Sequence, residues 1–223
     1  MCSTYYLLRF KWSKYKDSKL DTFKTNLEKK ISQIPEDDLK DNVNLNIVGP
    51  ALEALKYTIL EDELRDLFEN LLASSIDKRE DVFPGFVDVI RQLSSDEAKL
   101  LKEISLKGTN YPLIDLWYKL DSNKGFKEII VNFTNLGDDV CEKPELISAY
   151  LSELEKFGII SIEDGSYLTD DSLYVPLENH KTILDQKNVL MFGAEPGKYE
   201  IHKKKFKVTA YGIAFIKSCV VSK

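Results

Sequence analysis

The sequence predicts an α+β protein: an all-helical N-terminal part, residues 1–107, followed by a winged-helix-like C-terminal part, residues 108–223. Three observations predict this. Leu64, Leu67, Phe68, Leu71, Leu72 and Ile76 recur at helical steps of three and four. β-Branched and aromatic residues take over at 111–118. Further on, Leu154-Glu155-Lys156-Phe157-Gly158-Ile159-Ile160 carries a helix through a glycine into a strand. Helix, turn, strand, connector and second strand is the order of a winged helix.

The elements follow in sequence. Residues 13–32 predict a helix with Leu20, Phe23, Leu27 and Ile31 on one stripe, ended by Pro35, with a polar loop over 36–46. Pro50 fits the first turn of the next helix, where its missing N–H costs nothing. A further helix runs from about Glu61, whose neighbours Asp62 and Glu63 favour the positive end of the helix dipole. Its apolar stripe is the clearest in the chain. Pro84 opens a helix facing Phe86, Val87, Ile90 and Leu93 inward. Ser94 and Glu97 form a capping box for the next one, which carries Ala98, Leu101 and Ile104 and closes at Gly108.

Strands are expected at 111–118 and 126–133. Pro144 opens a helix that turns Ile147, Tyr150, Leu151, Leu154 and Phe157 inward, and Gly158 stops it before a strand at 159–162. A helix over 173–185, a turn over 193–197 and a strand over 199–208 come next. Thr209 caps a last helix with Tyr211, Ala214, Phe215 and Cys219, in which Gly212 permits close backbone approach.

Composition bounds the function classes. With 43% hydrophobic and 30% charged residues the chain is an ordinary globular sequence, long enough to bury a core without staples. The net charge of −6 argues against whole-molecule affinity for nucleic acid. The charge is uneven: residues 1–30 carry eight Lys/Arg against three Asp/Glu, residues 31–106 eight against seventeen, and residues 198–207 five against one. Cys2, Cys141 and Cys219 form no CxxC pair, which points to a reducing compartment and away from disulfides or zinc. No apolar run approaches the ~20 residues of a membrane span, and no signal sequence is recognisable. The expected location is the cytoplasm.

No cluster for chemistry emerges. His180 and His202, the two histidines, share no metal-ligand spacing. There is no GxxxxGK[ST] or GxGxxG phosphate cradle and no GxSxG elbow. Cys219 sits on an apolar helix face and reads as a packed small hydrophobe. The pairs Asp37-Asp38, Asp138-Asp139 and Asp170-Asp171 read as caps and solvated turns. No enzyme, cofactor or metal site is expected. Two surfaces remain. Lys198, His202, Lys203, Lys204, Lys205 and Lys207 would form a basic wing able to touch phosphate, although Glu142, Glu145, Glu153 and Glu155 make the preceding helix a poor reader of a DNA groove. Leu64, Leu67, Phe68, Asn70, Leu71 and Leu72 would form an interface, with Asn70 fixing register against a partner helix. Arg65, between Asp62 and Glu69, reads as a structural ion-pair ladder.

Four runs in this order resemble one family. They are Ile47-Val48-Gly49-Pro50-Ala51-Leu52-Glu53-Ala54-Leu55-Lys56-Tyr57-Thr58; Leu64-Arg65-Asp66-Leu67-Phe68-Glu69-Asn70-Leu71-Leu72-Ala73-Ser74-Ser75 with Asp77-Lys78-Arg79; the stretch 86–98; and Val208-Thr209-Ala210-Tyr211-Gly212-Ile213-Ala214-Phe215. Over roughly residues 20–220 the chain resembles the bacterial Abi-alpha family. The resemblance implies a part in abortive infection, the defence in which an infected cell stops growing or dies before phage matures. It supplies no catalytic residues.

The expectation is therefore a non-enzymatic interaction module of anti-phage defence that binds a protein partner or its own copies. A nucleic-acid-binding regulator using residues 198–207 is the second reading, and a toxin or effector of another type the third.

Overall fold

The computed structural model describes residues 2–120, 125–189 and 197–221, with side chains from residue 17 onward except at 107. The chain divides into two compact units, Met1–Lys102 with Ala214–Lys223, and Glu103–Ile213.

The first unit is helical: α1 (Cys2–Ile31), α2 (Leu45–Thr58), α3 (Asp62–Ser75), α4 (Gly85–Gln92) and the start of α5 (Ser95–Lys107). A π-helical turn, Ile216–Val220, joins it from the other end of the chain. Local chemistry sets the helix starts. The Asn44 side chain accepts from the Asn46 N–H at 3.0 Å, so α2 begins a turn earlier than Pro50 predicts. Pro50 then lies inside the helix, and the carbonyl it cannot bond belongs to Asn46, which is exposed to water. The expected capping box forms: Glu97 accepts from the Ser94 N–H at 2.7 Å and donates its own N–H to Ser94 Oγ at 3.3 Å.

Helix α3 is buried nearly all round, eleven of its fourteen residues being inaccessible. Leu64, Leu67, Phe68, Leu71 and Leu72 face the core with Phe86, Ile90, Leu100 and Leu101. Most of its polar residues are buried too and find partners within the unit, Arg65 Nε excepted. Asn70 donates to the Cys219 carbonyl at 2.9 Å and Ser74 donates to the Ser218 carbonyl at 2.9 Å. Those two carbonyls end the π turn, where no helical N–H follows to satisfy them. Phe215 meets Phe86 edge-on at 5.2 Å. These contacts explain why the last residues belong with the helical unit, whereas the sequence predicted one break at 107.

Helix α1 docks on α3 through polar contacts. Lys19 reaches Asp62 at 2.7 Å, Asn26 donates to Glu69 at 3.2 Å, and Lys30 donates to Asn70 at 2.5 Å and Asp66 at 3.2 Å. The buried stripe is Phe23 and Lys30, continuing to Ile34 beyond the helix, while Leu20 is 40% exposed. The predicted stripe Leu20, Phe23, Leu27, Ile31 is thus rotated toward the side where cations can meet the acids of α3. Burial raises the Asp66 pKa, but Lys102 and Lys30 outweigh it and hold that carboxyl below its ordinary range.

The second unit is a four-stranded antiparallel sheet in the order β2-β1-β4-β3, curled into a half-barrel with helices around it. Its strands are β1 (Asn110–Leu120), β2 (Phe126–Phe133), β3 (Ile160–Glu163) and β4 (Gly197–Val208); its helices are α6 (Ile147–Lys156), α7 (Val175–Glu178), α8 (Lys181–Asn188) and most of α9 (Ala210–Phe215). β1 and β4 pair along eleven residues, from Asn110 opposite Lys207 to Leu120 opposite Gly197. This is not a winged helix. The supposed wing, 198–207, is part of a strand paired along its length with the aromatic β1 and at its end, from Lys205, with β3 as well. The helix expected over 173–185 is broken into α7 and α8, as the His180 side chain accepts from the Thr182 N–H at 3.2 Å and starts a new helix. Residues 193–196 of the expected turn lie outside the described residues.

Thr209 caps α9 as expected, accepting from the Gly212 N–H at 2.9 Å and donating to the Gly158 carbonyl at 2.5 Å. A Cβ on Gly212 would stand 2.0 Å from the Ile159 carbonyl oxygen.

Two predictions follow from this packing. Gly212→Ala, which must push the Ile159 backbone away, should cost about 2–3 kcal/mol in urea denaturation. Glu69 behaves oppositely. Burial raises its pKa above the ordinary 4.5, so its charged form weakens the fold at neutral pH and stability is recovered as pH falls through that raised value. Glu69→Gln, which keeps an acceptor for Asn26, should raise Tm by about 2 °C at neutral pH. That gain should vanish as pH is lowered toward 4.5, where the wild-type carboxyl is itself neutral.

Candidate functional site in the curled sheet

The sequence-predicted basic run lies along β4, and its charges are answered within the chain. Lys203 meets Asp171 at 2.8 Å and Glu178 at 3.4 Å, Lys205 meets Glu163 at 3.2 Å, Lys207 meets the same carboxylate, and Lys198 meets Glu200 at 2.8 Å. The Lys203 pKa is raised, first by its hydrogen bond with Asp171. A row of lysines tied to carboxylates presents phosphate with little uncompensated charge. The six predicted interface residues are also used up: Leu64, Leu67, Phe68, Asn70, Leu71 and Leu72 are each 5% exposed or less, inside the chain's own helical unit. They are core residues, not a surface for a second copy.

What β4 does build, with β1, is a cleft of about 650 Å³ on one face of the sheet. The register places Asp115 opposite His202 and Leu113 opposite Lys204, so Asp115, Trp117, His202 and Lys204 share that face. Two irregularities shape it. Ile114 pairs with Phe133 and Leu116 with Ile130, which leaves Val131 and Asn132 opposite Asp115 alone. This is a β-bulge. Asn132 adopts φ +55°, unusual for a residue with a side chain. Its N–H, turned out of the ladder, is taken by Asp115 Oδ1 at 2.8 Å.

Lys204 sits at the centre of this arrangement. It is 9% exposed and its Nζ lies 2.7 Å from Asp164, 2.8 Å from Asn132 Oδ1 and 3.3 Å from Asp115. Burial opposes its charge, but Asp164 and Asp115 outweigh burial and raise its pKa above 10.5. Tyr174, wholly buried, donates its hydroxyl to the Lys204 carbonyl at 2.9 Å and so holds the strand from below. Lys204 therefore stays an ammonium, a structural cation rather than a base.

Beside it the aromatic rings form a row. Phe126 stacks on Trp117 at 4.0 Å and Trp117 on His202 at 3.8 Å. Trp117 Nε1 and His202 Nε2 are both shielded from water and lack a hydrogen-bond partner, Glu200 lying 4.0 Å from the His202 nitrogen, which is uncommon for buried polar atoms. Sequence reasoning marked His202 and Lys204 for their charge. It did not mark Trp117, Asp115 or Asn132, because only strand register brings them alongside. The alternation of Asp115 and Trp117 along an apolar strand was the available signal.

The other histidine is occupied. His180 Nε2 lies 3.0 Å from Asp138, and its Nδ1 accepts from the Thr182 N–H. With both ring nitrogens engaged it is a helix cap. Cys219 is fully buried, and burial pushes its thiol pKa well up, so it is a packed residue rather than a nucleophile. Among the described residues no group of three or more His, Cys, Asp or Glu could hold a metal ion. None of the described helices is long and apolar enough to cross a membrane.

Removing the Lys204 ammonium strands a carboxylate that is 3% exposed. Lys204→Met should cost about 3 kcal/mol in urea denaturation. Because the folded pKa of Lys204 is raised, its contribution is complete at neutral pH and is lost only as pH climbs beyond 10.5. The stability difference between wild type and variant should hold up to that pH and narrow above it.

Comparison with known proteins agrees with the motif order seen in the sequence. No curated protein matches the chain. An uncharacterized protein from the hydrocarbon-degrading marine bacterium Alcanivorax borkumensis SK2 is similar at 20% identity and a TM-score of 0.39, the match covering 58% of this chain and 88% of that one. The abortive infection alpha family matches residues 15–219. With the co-ordered motifs from Ile47 to Phe215 falling inside that match, the chain belongs to the abortive infection alpha family.

Proposed function

We propose that this protein serves abortive infection as a non-enzymatic binding module, and that its recognition site is the cleft on the curled sheet. Family membership associates the chain with abortive infection. The observation that carries the site is the cleft of about 650 Å³, lined by the Lys204–Asp115 pair and the Trp117–His202 stack. A concave site with a few fixed polar groups and aromatic rings in its lining is the usual form of a binding site. The bulge at Asn132 supports the same reading, since strained backbone and bulges gather at sites of function.

The groups present bind better than they react. Lys204 is held protonated by three oxygens. His202 is stacked on Trp117, and the nearest carboxylate, Glu200 at 4.0 Å, is beyond the hydrogen-bond reach that would orient it as a base. Self-association through α3 loses its support, because that helix is consumed by the core.

The test is a plaque assay in cells expressing the protein. His202→Ala and Trp117→Phe should each reduce phage protection at least tenfold, while Lys198→Ala, an exposed change on the same strand, should leave it intact. Folded His202→Ala and Trp117→Phe proteins that protect as well as wild type would remove the cleft from the function.

A further inference from the structure

Resting on that reading of the cleft, the strand that borders it narrows what it takes. In the sheet order β2-β1-β4-β3, β2 has one neighbouring strand among the described residues. An edge strand presents N–H and C=O groups that can pair with an added chain. Two hollows flank this edge. On one face lies the cleft, which Glu128, Val131 and Asn132 border. On the other lies a groove of about 430 Å³, between Ile129, Ile130 and Phe133 of β2 and Ile147 of α6 with Gln186 of α8. Val131 is half-buried and lines both hollows, so the edge between them is open.

The two sides differ in chemistry. The cleft is acidic: Asp115, Glu128, Glu155 and Asp164 line it against Lys203 and Lys204. Lys203 directs its charge to Asp171 and Glu178, outside that lining, and Lys204 is held by Asp115 and Asp164. Glu128 and Glu155 stand exposed, and no described cation pairs with either. The groove is apolar, with Asp138, held by His180, and Glu145 as its charged residues. No lysine or arginine occurs among the described residues lining it.

A strand added to β2 sends alternate side chains to opposite faces. Glu128, opposite Trp117, marks the cleft face, and Ile130, opposite Leu116, marks the other. Side chains on the first face meet carboxylates, and those on the second meet isoleucines and Phe133. The sheet of a second copy fits poorly, because it brings its own helices onto the groove side. The register also skips Ile129 and bulges at Val131 and Asn132, which bends the edge away from straight pairing with another sheet. A short extended segment can follow that bend.

We propose that the free edge of β2 takes up an extended segment of a partner protein, with alternating basic and apolar side chains, as a fifth strand. Main-chain hydrogen bonds supply the affinity, and the alternate side chains select the partner.

Fluorescence anisotropy of the full chain with labelled octapeptides tests this. One peptide alternates lysine with valine and a second alternates glutamate with valine. A third is the lysine peptide N-methylated at its central amides, and a fourth has its lysines and valines in separate blocks. The alternating lysine peptide should bind with Kd of about 10–500 µM, and the other three about tenfold more weakly or worse. Val131→Lys, a charge of the kind that guards natural edge strands, should weaken the lysine peptide about tenfold. Glu128→Lys, an exposed change, should weaken it about threefold and strengthen the glutamate peptide. Thermal melts confirm that the variants are folded. No binding of the lysine peptide, binding that N-methylation or both variants leave unchanged, or equal binding of the glutamate peptide would each overturn the proposal. Self-association of the chain that Val131→Lys abolishes would overturn it too, since the edge would then belong to a second copy. If the peptides fail while His202→Ala and Trp117→Phe still reduce phage protection, the partner class is wrong and the cleft stands; if both fail, the cleft falls as well.

Discussion

A helix with no face left to water must find a partner for every polar group it carries. Helix α3 is under that constraint, and the helical unit is arranged around it. Its leucines and Phe68 need neighbours on several sides, which α1, α2, α4 and the π turn provide. Its Asn70 and Ser74 need acceptors, which the last turn of the chain provides through the carbonyls of Cys219 and Ser218. Its Asp62, Asp66 and Glu69 need donors, which α1 provides through Lys19, Lys30 and Asn26. Arg65, buried between Asp62 and Glu69, closes the same network at 2.7 Å and 3.8 Å. The two ends of the sequence are held by one helix because unmatched buried groups are expensive.

The same accounting explains the charge pattern. Lys19 and Lys30 of the N-terminal basic stretch meet acids within the helical unit, and the lysines of β4 meet acids within the sheet unit. Exposed pairs of this sort add little stability. On β4 their effect is on specificity: they leave that run little uncompensated charge to attract an anion. The exception is the Lys204–Asp115 pair, both ends of which are buried, so that loss of the ammonium would leave a buried carboxylate poorly compensated. The cleft grows from that pair. Lys204 fixes Asp115 and Asn132, the bulge turns Asn132 out of the ladder, and the aromatic row lies beside them.

Local signals were legible. The capping box at Ser94 and Glu97, the cap at Thr209, the close approach at Gly212, the Arg65 ion pairs and the strands of β1 and β2 all involve residues within a few positions of each other, or a backbone requirement that one residue type meets. Signals that depend on what lies opposite were misread. An apolar stripe on α3 looked like a surface for another chain, although its depth in the core follows from residues far along the sequence. Five lysines in ten residues looked like a wing, although Lys203, Lys204, Lys205 and Lys207 are neutralised by acids 32–89 positions away, at Asp115, Glu163, Asp164 and Asp171. Lys19 and Lys30 looked solvated for the same reason. The cleft was invisible because its members come from four strands and a bulge that no periodicity announces.

By itself the sequence determined the helix caps at Ser94 and Thr209, the strands of β1 and β2, the apolar stripe of α3 and the family, since these rest on local backbone chemistry and motif order. Only the tertiary structure decided that β4 lies inside the sheet, that the C-terminal turn belongs to the helical unit, and that Trp117, His202, Asp115 and Lys204 share one cleft. The reason is that charge and hydrogen bonding are satisfied pairwise in space. A residue's role in such a pair is set by its partner, and the partner's position along the chain is fixed only when the strands have chosen their register and the helices their faces.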